Sequence, residues 1–115
     1  MPVQYMYLWE YIVAPGKADD FKRAYGPDGE WVLLFTEAPG YVRTELHRDS
    51  AEPGRFVTID YWESEAAWRE FRTRFSVRFE ALDARCAALT LRETEIGRFE
   101  PAGACAKELY PEFDQ

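Results

Sequence analysis

The chain has 115 residues, 47% hydrophobic and 17% aromatic, with 30% charged residues of both signs; this is the composition of one compact domain and excludes a second folded domain or a disordered chain. Fourteen Lys and Arg against twenty-one Asp and Glu leave a formal charge of −7, which disfavours nucleic acid and membrane surfaces as partners because both are anionic. A single histidine, no asparagine and two well-separated cysteines exclude His-rich metal sites, Cys-His-Asn nucleophile sites, zinc knuckles and disulfide frameworks.

Chemistry on this chain must therefore come from carboxylates, tyrosines, tryptophans and arginines. No apolar run reaches the roughly 18–20 residues of a transmembrane helix, and Met1 to Gln4 lacks the basic start of a secretory signal. A cytoplasmic protein with Cys86 and Cys105 as inert, reduced thiols is expected.

Tyr5 to Val13 is almost wholly aromatic or β-branched, interrupted by Glu10 and closed by Ala14-Pro15-Gly16; it predicts a strand buried on both faces. Glu10 is read as structural, pairing with a helix cation. Phe21, Ala24 and Tyr25 then recur at helical spacing, with Asp19 and Asp20 early and Lys22 and Arg23 late, as the helix dipole favours. Gly26-Pro27-Asp28-Gly29 must interrupt that helix, and Trp31, Leu34 and Phe35 make a second apolar face beyond it. Pro39-Gly40 ends this broken crossover.

Tyr41 to Arg48 alternates, with Val42, Thr44 and Leu46 on one side, and predicts a half-buried strand. Asp49 to Gly54 is a turn-rich loop leading into a second alternating strand, Arg55 to Glu63, so the two strands form a hairpin. Ser64 is placed to cap the next helix. Trp68, Phe71, Phe75, Phe79, Leu82, Cys86 and Leu89 follow in steps of three or four, one stripe along a long helix bent near Ser76. Leu91 to Glu100 has room for a last strand.

The order β, broken α, β, β, α, β is the split βαβ pattern, a ferredoxin-like α+β fold with an antiparallel four-stranded sheet. Residues 1–100 form the domain and 101–115 a tail. The first strand offers apolar residues on both sides, Tyr5, Tyr7, Trp9 and Tyr11 on one and Met6, Leu8 and Ile12 on the other, while helices of one chain cover a single face. A homodimer packing sheet against sheet is expected, with the tail from Pro101 reaching across to the partner.

Several segments resemble the antibiotic biosynthesis monooxygenase family of dimeric α/β barrels: Glu10 with Pro15-Gly16; Phe21, Ala24-Tyr25-Gly26-Pro27-Asp28-Gly29 and Trp31; Leu34-Phe35 and Pro39-Gly40-Tyr41; Thr44-Glu45-Leu46; and Thr58-Ile59-Asp60-Tyr61-Trp62-Glu63-Ser64. The likeness spans about Tyr5 to Glu100, and Asp-x-Trp-x-Ser leading into a long helix is its most specific part. It implies oxygenases that use no metal, haem or flavin and oxidise anthrone-like polyketides with dioxygen in a pocket between sheet and helices. It also implies that Trp62 lines this pocket, since it matches the family's tryptophan at the end of the third strand. A second branch of the family binds and degrades haem. That alternative is disfavoured, because His47 sits near the hairpin loop and is read as a surface residue, Phe71 and Phe75 fill the long helix's inward positions, and asparagine is missing.

Asp60 shares the face of Trp62, and a carboxylate in an apolar strand either meets a cation or has a raised pKa in a cavity. Placing Arg48 opposite Arg55 puts Asp60 opposite Arg43 and Thr58 opposite Glu45. Tyr41, Arg43, Glu45, Thr58, Asp60 and Trp62 then share one face. Asp60, Glu45 and Trp62 are the catalytic candidates, with Asp60 or Glu45 as the base and an Arg or Tyr as donor to a developing enolate; Arg43, Tyr25, Trp31, Thr58 and Phe71 are the substrate-binding candidates. The leading function is a small cofactor-independent monooxygenase acting on an aromatic substrate. A non-catalytic dimeric ligand-binding protein and an isomerase or cyclase on the same scaffold are the competing readings.

Overall fold

A computed structural model describes residues 3–103. The elements are β1 (Tyr5–Val13), α1 (Ala18–Tyr25), α2 (Glu30–Phe35), β2 (Tyr41–Arg48), β3 (Arg55–Trp62), α3 (Glu65–Arg74), α4 (Ser76–Cys86), a 3-10 turn (Ala87–Leu89) and β4 (Thr90–Phe99). The four strands form one antiparallel sheet in the order β2-β3-β1-β4, with the helices on one face. This is the ferredoxin-like α+β fold. The tail beyond residue 103, and Cys105 with it, lies outside the described residues.

Local chemistry explains the helix boundaries. In α1, Asp19 pairs with Lys22 at 3.7 Å and Asp20 with Arg23 at 2.8 Å, acids toward the positive end and bases toward the negative end. The crossover breaks where expected, and its turn requires glycine: a Cβ on Gly29 would lie 2.3 Å from the Ala24 carbonyl oxygen. At the end of the crossover Gly40 combines a φ of +91° with a Cβ position only 2.5 Å from the Ala67 methyl, so α3 packs directly on this turn. The long helical stripe is divided at Phe75, whose φ of −108° and ψ of 18° separate α3 from α4.

Ser64 caps α3, its hydroxyl accepting from the Ala67 N–H at 3.0 Å. Ser64→Ala is expected to lower stability by about 1 kcal/mol, read by urea unfolding, since the N–H loses its acceptor.

In the single chain β1 is tightly buried on its helix side, at Tyr5, Tyr7, Tyr11 and Val13, and Met6, Leu8 and Ile12 are half-buried on the open face. The sheet differs from the sequence reading in two places. First, Glu10 pairs with a strand cation: its carboxylate accepts from Arg55 at 2.5 Å, and Arg55 also reaches Asp49 at 2.9 Å. Second, the hairpin register is one residue off the expected one. Asp49 joins the ladder by donating its N–H to the Arg55 carbonyl at 2.9 Å, so Arg48 faces Phe56, Thr44 faces Asp60 and Leu46 faces Thr58.

That slip is undone at the far end of the strand. Val42 is an extra residue in β2, so Tyr41 still pairs with Trp62 while Arg43 pairs with Tyr61. Tyr41 therefore shares the inner face with Trp62, and Arg43 and Glu45 fall on the outer face.

Candidate functional site

The inner face of the sheet and helices α1 to α4 line a partly open cavity of about 340 Å³, within the usual size range of small-molecule sites. All four tryptophans of the chain, Trp9, Trp31, Trp62 and Trp68, line it, together with Tyr7, Tyr11, Tyr25, Phe35 and Phe79. These rings reach the cavity from every layer: alternation on β1 and β3 sends every second residue inward, and α1 to α4 cover them. Trp62 is the most buried, 1% exposed, with Phe35, Tyr41 and Phe71 rings between 5.3 and 5.8 Å from its own.

Asp60 stands between Thr58 and Trp62 on the inner face of β3 and lines the cavity. The Thr44 hydroxyl donates to its Oδ1 at 2.7 Å, and no cation lies within ion-pair distance of it among the described residues. Thr44 has one hydroxyl proton and spends it on Asp60, so the Tyr41 hydroxyl, 2.7 Å from Thr44 Oγ1, is the donor in that contact. Burial pushes the Asp60 pKa up to about 6, against the opposing effect of the Thr44 hydrogen bond. Of the two environments open to this carboxyl, cation partner or cavity with a raised pKa, the structure has the second.

Two further polar pairs border the cavity. Tyr11 and Thr58 hydroxyls meet at 3.0 Å, and Thr58 is 3% exposed. Tyr25 donates to Glu93 Oε1 at 3.2 Å, and burial raises the Glu93 carboxyl as well. At another part of the wall Arg98 lies over the Trp68 ring at 4.6 Å and the Tyr7 ring at 5.0 Å. The Trp31 indole N–H is buried with no acceptor among the described residues.

Asp60, Trp62, Thr58, Tyr25 and Trp31 thus share one cavity, whereas three other candidates do not. Arg43 and Glu45 lie on the opposite face of the sheet, because the Val42 bulge shifts them there. Glu45 accepts from Arg43 at 3.2 Å and Tyr61 at 3.2 Å and contacts His47 at 3.0 Å; these contacts, led by that with His47, hold its carboxyl below the usual range. Phe71 is 1% exposed inside the core against Trp62 and Phe35; α3 turns Trp68 and Arg72, four residues apart, toward the cavity instead.

Thr44, Glu93, Arg72 and Arg98 were not singled out from sequence. Thr44 was visible as part of the alternation of β2, but Glu93 and Arg98 sit in a strand whose charged pattern gives no inward face until β1 pairs Tyr11 with Glu93 and Tyr7 with Arg98. The chain's one imidazole, His47, is on the outer face, so the cavity residues do not fit a haem that needs a histidine ligand. Cys86 is buried and its thiol is pushed up by that burial, an inert environment. No group of three metal-ligating side chains occurs among the described residues, and none of their helices is long and apolar enough to cross a membrane.

Comparison with known proteins places this architecture. The fold is similar to that of a variant of SnoaB, a cofactor-independent oxygenase from Streptomyces nogalater, with a TM-score of 0.74, 19% identity, and coverage of 90% of this chain and 97% of that one. It is similar to a putative antibiotic biosynthesis monooxygenase from Bordetella bronchiseptica, with a TM-score of 0.72, 19% identity, and coverage of 89% and 100%. It is also similar to a monooxygenase from the gene ActVA-Orf6 of Streptomyces coelicolor in complex with nanaomycin D, with a TM-score of 0.66, 23% identity, and coverage of 90% and 91%. No curated protein sequence matches the chain. The family profile described as antibiotic biosynthesis monooxygenase matches residues 5–78, from the start of β1 into α4. With most of the sheet, the broken crossover and the Asp60 to Ser64 segment inside that match, the chain belongs to the antibiotic biosynthesis monooxygenase family.

Proposed function

We propose that the protein is a cofactor-independent monooxygenase that oxidises an anthrone- or quinol-like aromatic substrate with dioxygen. The observation that carries this reading is Asp60: a carboxyl with a pKa of about 6, held by Thr44 and without a cation partner among the described residues, on the wall of an aromatic cavity. Cofactor-free oxygenation needs the substrate to become an electron-rich carbanion first, and a base with a raised pKa suits that proton transfer. For an anthrone, Asp60 takes a proton from the ring methylene and the carbanion is oxidised by dioxygen to a peroxide at that carbon. The proton held by Asp60 goes to the peroxide, and loss of water from the resulting hydroperoxide leaves the quinone carbonyl, so one oxygen atom enters the product and the other leaves as water.

Trp62 and the other aromatic rings hold the planar substrate. Arg43, on the outer face, is not placed to donate to the oxygen on which the carbanion's charge accumulates. SnoaB's description as a cofactor-independent oxygenase and the nanaomycin D bound by the Streptomyces coelicolor monooxygenase support the reaction type and an aromatic ligand. The test is oxygen consumption by the purified protein with an anthrone, corrected for spontaneous oxidation. Catalysed uptake is expected; its absence in folded protein that still binds the aromatic would favour a ligand-binding protein, and product formed without oxygen an isomerase or cyclase.

The same reading includes a cytoplasmic homodimer. Met6, Leu8, Ile12, Val57, Ile59 and Tyr61 are half-buried on the open sheet face, and Phe99 is 46% exposed, a surface suited to a second copy. Sedimentation is expected to give twice the 13.4 kDa of one chain, and a monomer at micromolar concentration would overturn this part.

A further inference from the structure

We propose that the cavity is built for an aromatic ligand bearing a carboxylate, and that Arg72 is the residue that receives it. The inference rests on the cavity being the substrate site and goes beyond the reaction type to the class of molecule. Arg72 projects from α3 into the cavity wall. Its guanidinium lies 3.7 Å over the centre of the Phe79 ring of α4, which occupies the face of the cation and leaves its N–H edge for a planar acceptor. Its Nη1 is buried and has no hydrogen-bond partner among the described residues.

A buried guanidinium nitrogen without an acceptor is costly. The described residues do not supply one, although carboxylates are near. Asp60 and Glu93 share the cavity but are held by Thr44 and Tyr25, and Asp83 shares it without an ion pair to Arg72. The other cavity cation, Arg98, already contacts the Tyr7 hydroxyl at 3.5 Å and Glu95 at 3.8 Å. Among the described residues, Arg72 is thus the cavity cation with neither a hydrogen bond nor an ion pair. A carboxylate matches it because two oxygens can accept from the guanidinium edge in one plane. The three acidic side chains repel an anion in general, so a preference for a carboxylate would report direct contact with the guanidinium rather than the field of the cavity.

The experiment uses the tryptophans that line the cavity as reporters. Fluorescence quenching of the intact chain is titrated with anthraquinone-2-carboxylate and with its neutral isostere anthraquinone-2-carboxamide, near neutral pH and physiological ionic strength. The carboxylate is expected to bind roughly ten- to a hundredfold more tightly. Arg72→Gln should remove that difference, and Arg72→Lys, which keeps the charge but loses the planar edge, should keep only a few-fold of it. Far-ultraviolet circular dichroism checks that each variant is folded. Equal affinity of the wild type for the two probes, or an undiminished preference in folded Arg72→Gln, overturns the proposal. Neither quinone has a methylene proton to lose, so the result is independent of catalysis. A carboxylate preference in a protein that consumes no oxygen would sink the oxygenase reading alone.

Discussion

Asp60→Asn is expected to lower catalysed oxygen uptake by roughly 10²–10⁴-fold, the usual contribution of a general base, while the fold persists. Asn keeps the shape and the oxygen that accepts from Thr44 but cannot take the substrate's proton. The wild-type rate should rise with pH as Asp60 ionises, with a midpoint near its pKa of about 6. The same residue makes a separate prediction about stability. Its pKa is 3.8 in the unfolded reference and about 6 in the fold, so between these values the folded state binds the extra proton. This contribution to stability is fully present below the lower value and is lost as pH rises through the higher one. The loss is about 3 kcal/mol at one pKa unit per 1.36 kcal/mol. Asn has no such titration. Relative to wild type, Asp60→Asn should therefore be more stable at about pH 8 than at about pH 4, by an amount of that order. Urea unfolding of both proteins at the two pH values checks this. Undiminished uptake would remove Asp60 as the base, and a pH-independent stability difference would show that its carboxyl is not held in a desolvating cavity.

Trp62→Ala is expected to cost about 3–5 kcal/mol of folding stability, the largest loss from a single substitution considered for this chain. Trp62 is among the largest fully buried side chains, and its ring touches the crossover helix through Phe35, the β2 bulge through Tyr41 and α3 through Phe71. Removing it leaves a void that three elements would have to close together, and close packing allows only partial relaxation. Against the roughly 5–15 kcal/mol typical of a domain, the variant should melt far below the wild type in a thermal scan followed by circular dichroism. Trp62→Phe, which keeps an aromatic ring in the gap, should lose markedly less. Equal melting of Trp62→Ala and wild type would mean that the residue serves the cavity only and does not join sheet to helices.

The strands and helices were legible because each carries its period in full. Tyr5 to Val13 and Tyr41 to Arg48 were read with the boundaries that the structure has, and the division of the long helix was expected one residue from Phe75. The candidate site was legible residue by residue on β3, where Thr58, Asp60 and Trp62 alternate. It was not legible across β2. Alternation alone put Arg43 and Glu45 beside Asp60. A bulge adds one residue to one strand without a compositional mark at Val42, and Asp49 gives no sign that it belongs to the ladder rather than to the loop.

Period and punctuation are properties of neighbours along the chain, so the sequence by itself determined the order of elements, the ferredoxin-like fold and the inward face of β3. Facing partners are properties of the ladder and of helix rotation, and only the tertiary structure decided them. It set Thr44 rather than Arg43 against Asp60, moved Glu45 to the open face, sank Phe71 into the core and brought Glu93, Arg72 and Arg98 to the cavity. The physical reason is that one residue of register exchanges the two faces of a strand, whereas its free-energy difference is spread over contacts between segments far apart in sequence.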